Sequence, residues 1–235
     1  MSGSNINLHL PDSFSDALKR LVPSVTEETL ILLEEFQSLL IQANARVNLT
    51  RIENELEFKF KHIIDSALIL YALNLDLSQG RLPKDLLDFG TGGGIPGIPL
   101  SVFCDFETLM LVDARLKKLN QIELIINQMS WAQPIVKLIH DSWKSKDAKI
   151  FASKHSKVGL VTARAVGPAN DLIKILTPVC ANYLVLPRGP GDVKDWPTVR
   201  KFALELGFKN AQLFNFKVTW RNLDMDRLIF KFSKK

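Results

Sequence analysis

Apolar residues recur every three or four positions along the first third of the chain. Leu30, Leu33, Phe36, Leu39 and Leu40 mark one buried helix face, and Ser24 followed by Glu27 has the spacing of a capping box. A second helix is predicted from about Glu55, with Phe58, Ile63, Leu68 and Leu70 among its apolar positions, and the polar stretch Asn44 to Asn54 interrupts the period between the two. Together they predict a small helical cap. After the turn-rich segment Asn74 to Lys84, short apolar runs alternate with amphipathic stretches, the signature of parallel strands joined by crossover helices. The predicted strands are Asp85 to Phe89, Thr108 to Asp113, Ile135 to His140, Gly159 to Arg164 and Tyr183 to Leu186. Leu116, Leu119, Ile122, Ile126 and Met129 mark a helix between the second and third. Gln212 to Val218 and Arg227 to Phe232 alternate apolar and polar residues with no helix between them, which predicts an antiparallel pair closing the sheet edge.

Composition narrows the class. The 235 residues, 46% hydrophobic and 23% charged, suffice for one large domain or a domain with a small extension, and they exclude a disordered tail, a disulfide-stapled miniprotein or a fibrous repeat. Cys104 and Cys180 are far apart and no paired-cysteine spacing accompanies the four histidines, so neither a disulfide framework nor a zinc module is expected. The opening MSGSNINLHLPDSF has no basic n-region before an apolar core, and no run of about 18 apolar residues occurs. A soluble cytoplasmic protein without membrane partners is the expectation. The net charge of +5 is compatible with a polyanionic partner without requiring one.

The sharpest feature is Leu86-Leu87-Asp88-Phe89-Gly90-Thr91-Gly92-Gly93-Gly94-Ile95-Pro96-Gly97, at the junction of the first predicted strand of this region and the next helix. Glycines at such a bend permit positive φ and close approach of a ligand, and the helix start offers free N–H groups. Asp113, at the end of the next strand and 23 residues beyond Gly90, has the spacing at which a carboxylate meets a ribose diol. The pattern Gly92-x-Gly94-x-x-Gly97 also fits the dinucleotide fingerprint, so an NAD-type ligand competes. A carboxylate at Asp88 repels a pyrophosphate and attracts the ammonium and sulfonium of S-adenosyl-L-methionine, which favours the methyl donor provided Asp88 points into the pocket. The structural alternative is a tight turn in which Asp88 caps the helix.

These residues, with Asn48-Leu49-Thr50, His62-Ile63-Ile64-Asp65-Ser66, Leu111-Val112-Asp113 and Ala163-Arg164-Ala165, follow an order and spacing that closely resembles one family, the bacterial small-subunit rRNA guanine-N7 methyltransferases, also called glucose-inhibited division protein B. The likeness runs from about Thr29 to the C-terminus, and its most specific part is Gly94-Ile95-Pro96-Gly97-Ile98-Pro99-Leu100 with its two prolines. The resemblance implies an α/β fold: a seven-stranded Rossmann-like S-adenosylmethionine-dependent methyltransferase sheet at 79–235, packed as one unit with a helical cap at 1–78. It implies donor contacts at Gly90, Ile95, the loop after the third strand and Arg164, and 16S rRNA or the small ribosomal subunit as partner to a monomer. Ser142-Trp143-Lys144 stand where the family tends to have Arg-Ala-Glu, so the glutamate side chain has no counterpart, while a main-chain contact can survive and Trp143 can pack on the donor's base. The stretch Lys144 to Lys157 looks long for the family and carries five lysines, among them Lys146 and Lys149, against the single acid Asp147. It reads as an RNA phosphate contact or as a solvated surface loop.

Guanine N7 is an in-plane lone pair without a proton, so methylating it needs no general base, and no catalytic residue of that kind is expected. A non-catalytic nucleotide- or RNA-binding protein with a degenerate site would look the same, and is the alternative. Asn/Asp-Pro-Pro-aromatic and Pro-Cys signatures of other base methylations are missing at Thr162 to Pro168 and at Cys104 and Cys180. Arg164, at a predicted strand end, can bind the donor carboxylate, donate to guanine O6 or form a structural salt bridge. Arg188, in Leu186-Pro187-Arg188-Gly189-Pro190-Gly191 where the family usually has Lys-Gly, is the substrate-side candidate, with a plain connector as the other reading. His62, Asp65 and Ser66 can share one helix face, which suits orienting the cap over the donor mouth better than a hydrolase triad.

Overall fold

A computed structural model describes residues 3–52, 54–74, 82–132 and 134–234. Among these residues eight strands form one sheet in the order β1-β7-β8-β6-β5-β2-β3-β4. The inner strands β2 (Asp85–Phe89), β3 (Thr108–Asp113) and β5 (Val158–Thr162) are almost wholly buried, which is why each reads as an unbroken apolar run. With β4 (Ile135–His140) and β6 (Cys180–Arg188) they pair in parallel. β8 (Leu223–Ser233) runs antiparallel between β6 and β7 (Asn210–Trp220).

Two expectations about this sheet change. Ser4–Leu10 forms an additional strand, β1, parallel to β7 in the register Ser4↔Phe214 to Leu10↔Trp220, so the sheet has eight strands where seven were predicted. The antiparallel pair therefore lies inside the sheet, and β1 is its edge. The alternation Ile6, Leu8, Leu10 against Asn5, Asn7, His9 suits a strand with one face inward.

Helices cover both faces. α1 (Phe14–Leu21), α2 (Glu27–Asn44), α3 (Glu55–Phe58), a π-helical segment Lys59–Ile64 and α4 (Asp65–Asn74) pack with α5 (Gly97–Phe103) and α6 (Leu116–Gln128) on one side. α7 (Ser145–Lys154), α8 (Ala169–Leu176) and α9 (Trp196–Glu205) cover the other. Leu18, Phe36 and Phe58 share one buried cluster with Leu86, Ile98, Leu109 and Leu119, so the N-terminal helices and the sheet have a common core. Much of the predicted turn Asn74 to Lys84, with the expected boundary at 78/79, lies outside the described residues. The cap of α2 is also displaced: Thr26 Oγ1 accepts from Thr29 N and Thr29 Oγ1 accepts from Thr26 N, because Val25 is drawn into the core and the helix starts after it. Lys144 to Lys157 is no inserted loop; it holds α7, the crossover from β4 to β5.

Candidate functional site

β2 lies between β3 and β5, the point at which the chain order across the sheet reverses. Loops leaving β2 and β5 both border a crevice at the carboxyl ends of the strands there. The loop after β2 turns through Gly90 (φ 74°) and Gly92 (φ 59°). A Cβ at Gly90 would stand 2.4 Å from Val166 Cγ2, so the loops after β2 and β5 touch where only a hydrogen fits. Gly90 N and Thr91 N both donate to Val112 O, and Gly92 N donates to Asp113 Oδ2 at 2.9 Å, tying the glycine loop to the end of β3.

Asp88 does not face the crevice. It is fully buried, and its Oδ2 accepts from Thr91 Oγ1 at 2.7 Å and from Gly97 N at 3.0 Å. This corrects the expectation of a donor-facing charge: the carboxylate links the start of the loop to the start of α5, as the capping alternative supposed. Burial raises its pKa from 3.8 to about 6, against the opposing pull of the Thr91 and Gly97 bonds.

The crevice is a cavity of about 580 Å³. Gly90, Gly92, Ile95, Asp113, Trp143 and Arg164 line it; Asp88, Gly94, Lys144, Arg188, Lys146 and Lys149 do not. Gly94 (φ 82°) serves the turn itself. Asp113 reaches the wall with Oδ1 accepting from Arg115 N at 2.8 Å. Trp143 is buried between Phe89 and Phe151, with centroid separations of 5.9 and 4.8 Å, and presents an aromatic wall. Lys144 is exposed, and its N–H donates to Asp147 Oδ2 at 3.0 Å in the first turn of α7, which turns the residue out of the cavity.

The opposite wall comes from the N-terminal helices. Asn44 Oδ1 accepts from Leu49 N and Thr50 N at 2.8 and 2.9 Å, holding this turn against Gly93 of the loop. His62, buried in the π-helical segment, touches Thr50 Oγ1 through Nε2 at 2.7 Å and Arg164 Nη2 through Nδ1 at 2.9 Å. Nδ1 also lies 3.0 Å from the Lys61 carbonyl oxygen, so this nitrogen stands between a guanidinium that donates and a carbonyl that accepts. Burial, with the Arg164 charge, lowers the His62 pKa to about 3, so the ring is neutral. Arg164 Nη1 pairs at 2.9 Å with Asp65 Oδ2, and Arg227 Nε pairs at 2.5 Å with Asp65 Oδ1, so one buried carboxylate lies between two arginines. Ser66 Oγ donates to the His62 carbonyl at 2.7 Å, which is a helix contact and no nucleophile geometry. Arg164 thus stands in a salt bridge with Asp65, and the residue also lines the cavity.

Arg188 has its own partners, Asp192 Oδ2 at 2.6 Å and the Gly167 carbonyl at 2.7 Å. It ties the loop after β5 to the turn after β6, which explains why it does not open onto the cavity. Lys146 and Lys149 are exposed on α7. Sequence reasoning missed Arg227, Lys118 and Asp141. Arg227 reaches Asp65 across 162 positions, a partnership with no local signal. Lys118 and Asp141 line the cavity at a helix start and just past a strand end, positions that Asp113 and β4 already marked.

A family model described as rRNA small subunit methyltransferase G matches residues 30–216. Ribosomal RNA small subunit methyltransferase G of Alkaliphilus oremlandii is 24% identical over 230 residues, covering 95% of this chain and 91% of that protein. The protein of the same name from Lactobacillus johnsonii is 30% identical over 182 residues, covering 77% and 73%. Among solved structures, magnesium protoporphyrin IX methyltransferase from Synechocystis with bound SAH superposes with a TM-score of 0.53 at 14% identity, covering 89% of this chain and all of that one. A SAM-dependent methyltransferase from Agrobacterium tumefaciens gives 0.53 at 11% identity, covering 73% and 63%. At these identities the structures report the fold: a Rossmann-like α/β methyltransferase sheet.

Proposed function

Because this chain belongs to the rRNA small subunit methyltransferase G family, we propose that it transfers the methyl group of S-adenosyl-L-methionine to N7 of a guanine in 16S rRNA. The observation that carries the reading is the cavity at the sheet's reversal point, bounded by the glycine loop on one side and Asp113 on the other. Its volume of about 580 Å³ suits a nucleoside-sized ligand, and Gly90 and Gly92 of the loop line it.

When bound, the donor supplies a sulfonium-activated methyl group. Asp113 would hold the ribose hydroxyls with the lone pairs left over from Gly92 and Arg115, and Trp143 would flank the adenine. Arg164 keeps N–H groups beyond those given to Asp65 and His62, enough to receive the donor's carboxylate. The reaction asks no base of the protein. His62 supplies none, since both of its ring nitrogens are occupied. The site's task is alignment of N7 with the methyl carbon in a pocket too narrow for a duplex, so the target guanine must be unstacked. The protein would act as a monomer in the cytoplasm, where its ribosomal substrate is; no described helix is long and apolar enough to cross a membrane.

The test is methyl transfer from labelled donor to small-subunit rRNA, offered naked and as assembled particles, with the product mapped by mass. A single 7-methylguanine in one of the two substrates is the expected result. Label in neither, with donor binding intact, would leave only the non-catalytic binding protein.

A further inference from the structure

Two arginines share one buried carboxylate beside the cavity. Arg164 Nη1 lies 2.9 Å from Asp65 Oδ2, and Arg227 Nε pairs with Asp65 Oδ1. Among the described residues no other acid pairs with either arginine. Arg227 gives further N–H groups to neutral atoms, the Arg188 carbonyl at 3.3 Å and Met225 Sδ at 3.8 Å. The charge of Arg188 is met by its own acid, Asp192, at 2.6 Å. Two positive charges therefore divide one negative charge, and the trio keeps a surplus of one. The ring of His62, which also touches Arg164, is neutral and leaves that sum unchanged.

Of the three, Arg164 is the one that lines the cavity. Asp65 begins α4, and Arg227 lies on β8, which is paired on both sides and holds the residue opposite Phe216 of β7. We infer that Arg227 is a positioning residue for the methyl donor: by holding one oxygen of Asp65 it keeps that carboxylate from neutralising Arg164, and so leaves Arg164 able to take the donor's carboxylate. The inference deepens the proposed function and rests on it. Without Arg227, Asp65 would be free to turn both oxygens onto Arg164, and a bidentate pair of that kind is a closed ion pair with a filled fork. Water screens charges little at such a depth, so one unit of charge weighs more here than on the surface. Burial lowers the Arg164 pKa, Asp65 raises it and Arg227 lowers it, the signs expected of a cation whose counter-charge is only partly its own. Asp88 acts in the same sense as Asp65 but more weakly, and its bonds go to Thr91 and Gly97.

The experiment compares S-adenosyl-L-methionine with its decarboxylated analogue, which keeps the adenosine, sulfonium and ammonium groups and lacks only the carboxylate. Both dissociation constants are measured by calorimetry on the full chain for the wild type, Arg227→Gln and Arg227→Lys. The wild type should bind the complete donor ~10-fold or more tightly than the analogue, the worth of one charge-assisted hydrogen bond. Arg227→Gln keeps a hydrogen-bond donor for Asp65 and removes the charge, and should bring the ratio to within about threefold, chiefly by weakening the complete donor. Arg227→Lys keeps the charge and should retain most of the wild-type ratio. Arg227→Met, carried in parallel, gives the same reading if the glutamine variant does not fold. An equal fall for both ligands, or no fall at all, leaves the ratio intact, overturns the inference and makes Arg227 a structural ion pair only. A lysine variant that behaves like the glutamine variant overturns it as well. A wild type that binds both ligands equally, or neither, overturns instead the reading of the cavity as a donor site with Arg164 at the carboxylate, and is distinguished because no variant is then involved.

Discussion

Replacing Asp88 by asparagine should change how stability depends on pH, and the sign of the change is diagnostic. The carboxyl is fully buried, and its pKa is raised from 3.8 to about 6 because burial outweighs the bonds from Thr91 and Gly97. The folded protein therefore binds a proton more tightly than the unfolded chain does. The stability this group contributes is complete below the unfolded value of 3.8 and is lost as pH rises through about 6. At 1.36 kcal/mol per pK unit the whole effect is ~3 kcal/mol, of which about 2 kcal/mol falls between pH 4.5 and 7.5. Asparagine keeps an acceptor for Thr91 and Gly97 and cannot ionise. Urea unfolding of both proteins across that range gives the difference directly. Wild-type stability relative to Asp88→Asn should decline by about 2 kcal/mol from pH 4.5 to 7.5. A level difference, or one that climbs with pH, would refute a carboxylate buried against its own ionisation and would point back to one facing a cation.

Asp65→Asn leaves Arg164 and Arg227 without their shared counter-charge and should cost ~3–5 kcal/mol in urea unfolding; a loss under about 1 kcal/mol would mean that water replaces the carboxylate. Gly90→Ala forces a side chain into φ 74° against Val166, so strain of ~1–3 kcal/mol should accompany a drop in donor affinity measured by calorimetry, and unchanged affinity would separate this loop from the ligand. Changing Lys146, Lys149 and Lys154 on α7 to serine should flatten the salt dependence of RNA binding by ~0.7–0.9 in slope for each phosphate no longer neutralised; an unchanged slope would assign this face to solvent.

Much of this was legible in the sequence, and the limits have physical reasons. β2, β3 and β4 begin and end where the apolar runs do, because turn chemistry and burial act on the same residues. The glycine loop was legible for the same reason: positive φ leaves a mark in residue type. The direction of Asp88 was not. A carboxylate at a strand end serves a ligand or a helix start equally well until Thr91 and Gly97 are seen to claim it. Arg164, Asp65, His62 and Thr50 were each singled out, but their connection runs across 102 positions between His62 and Arg164. The role of β1 was hidden likewise, since seven residues of mild alternation become a strand only when β7 is there to receive them.

That edge strand bears on how the protein folds. Ser4–Leu10 pairs with Phe214–Trp220, and Asn5 meets Asn215 across 210 positions. Closing so long a loop is a slow step that the central parallel strands need not share. Once β7 has formed, its outer rim of open N–H and C=O groups, with Phe214, Phe216 and Trp220 along the strand, is a template for whichever extended chain arrives first. The β1 segment of the same molecule thus competes with a neighbouring chain, and a molecule whose β1 is detached would present an adhesive border.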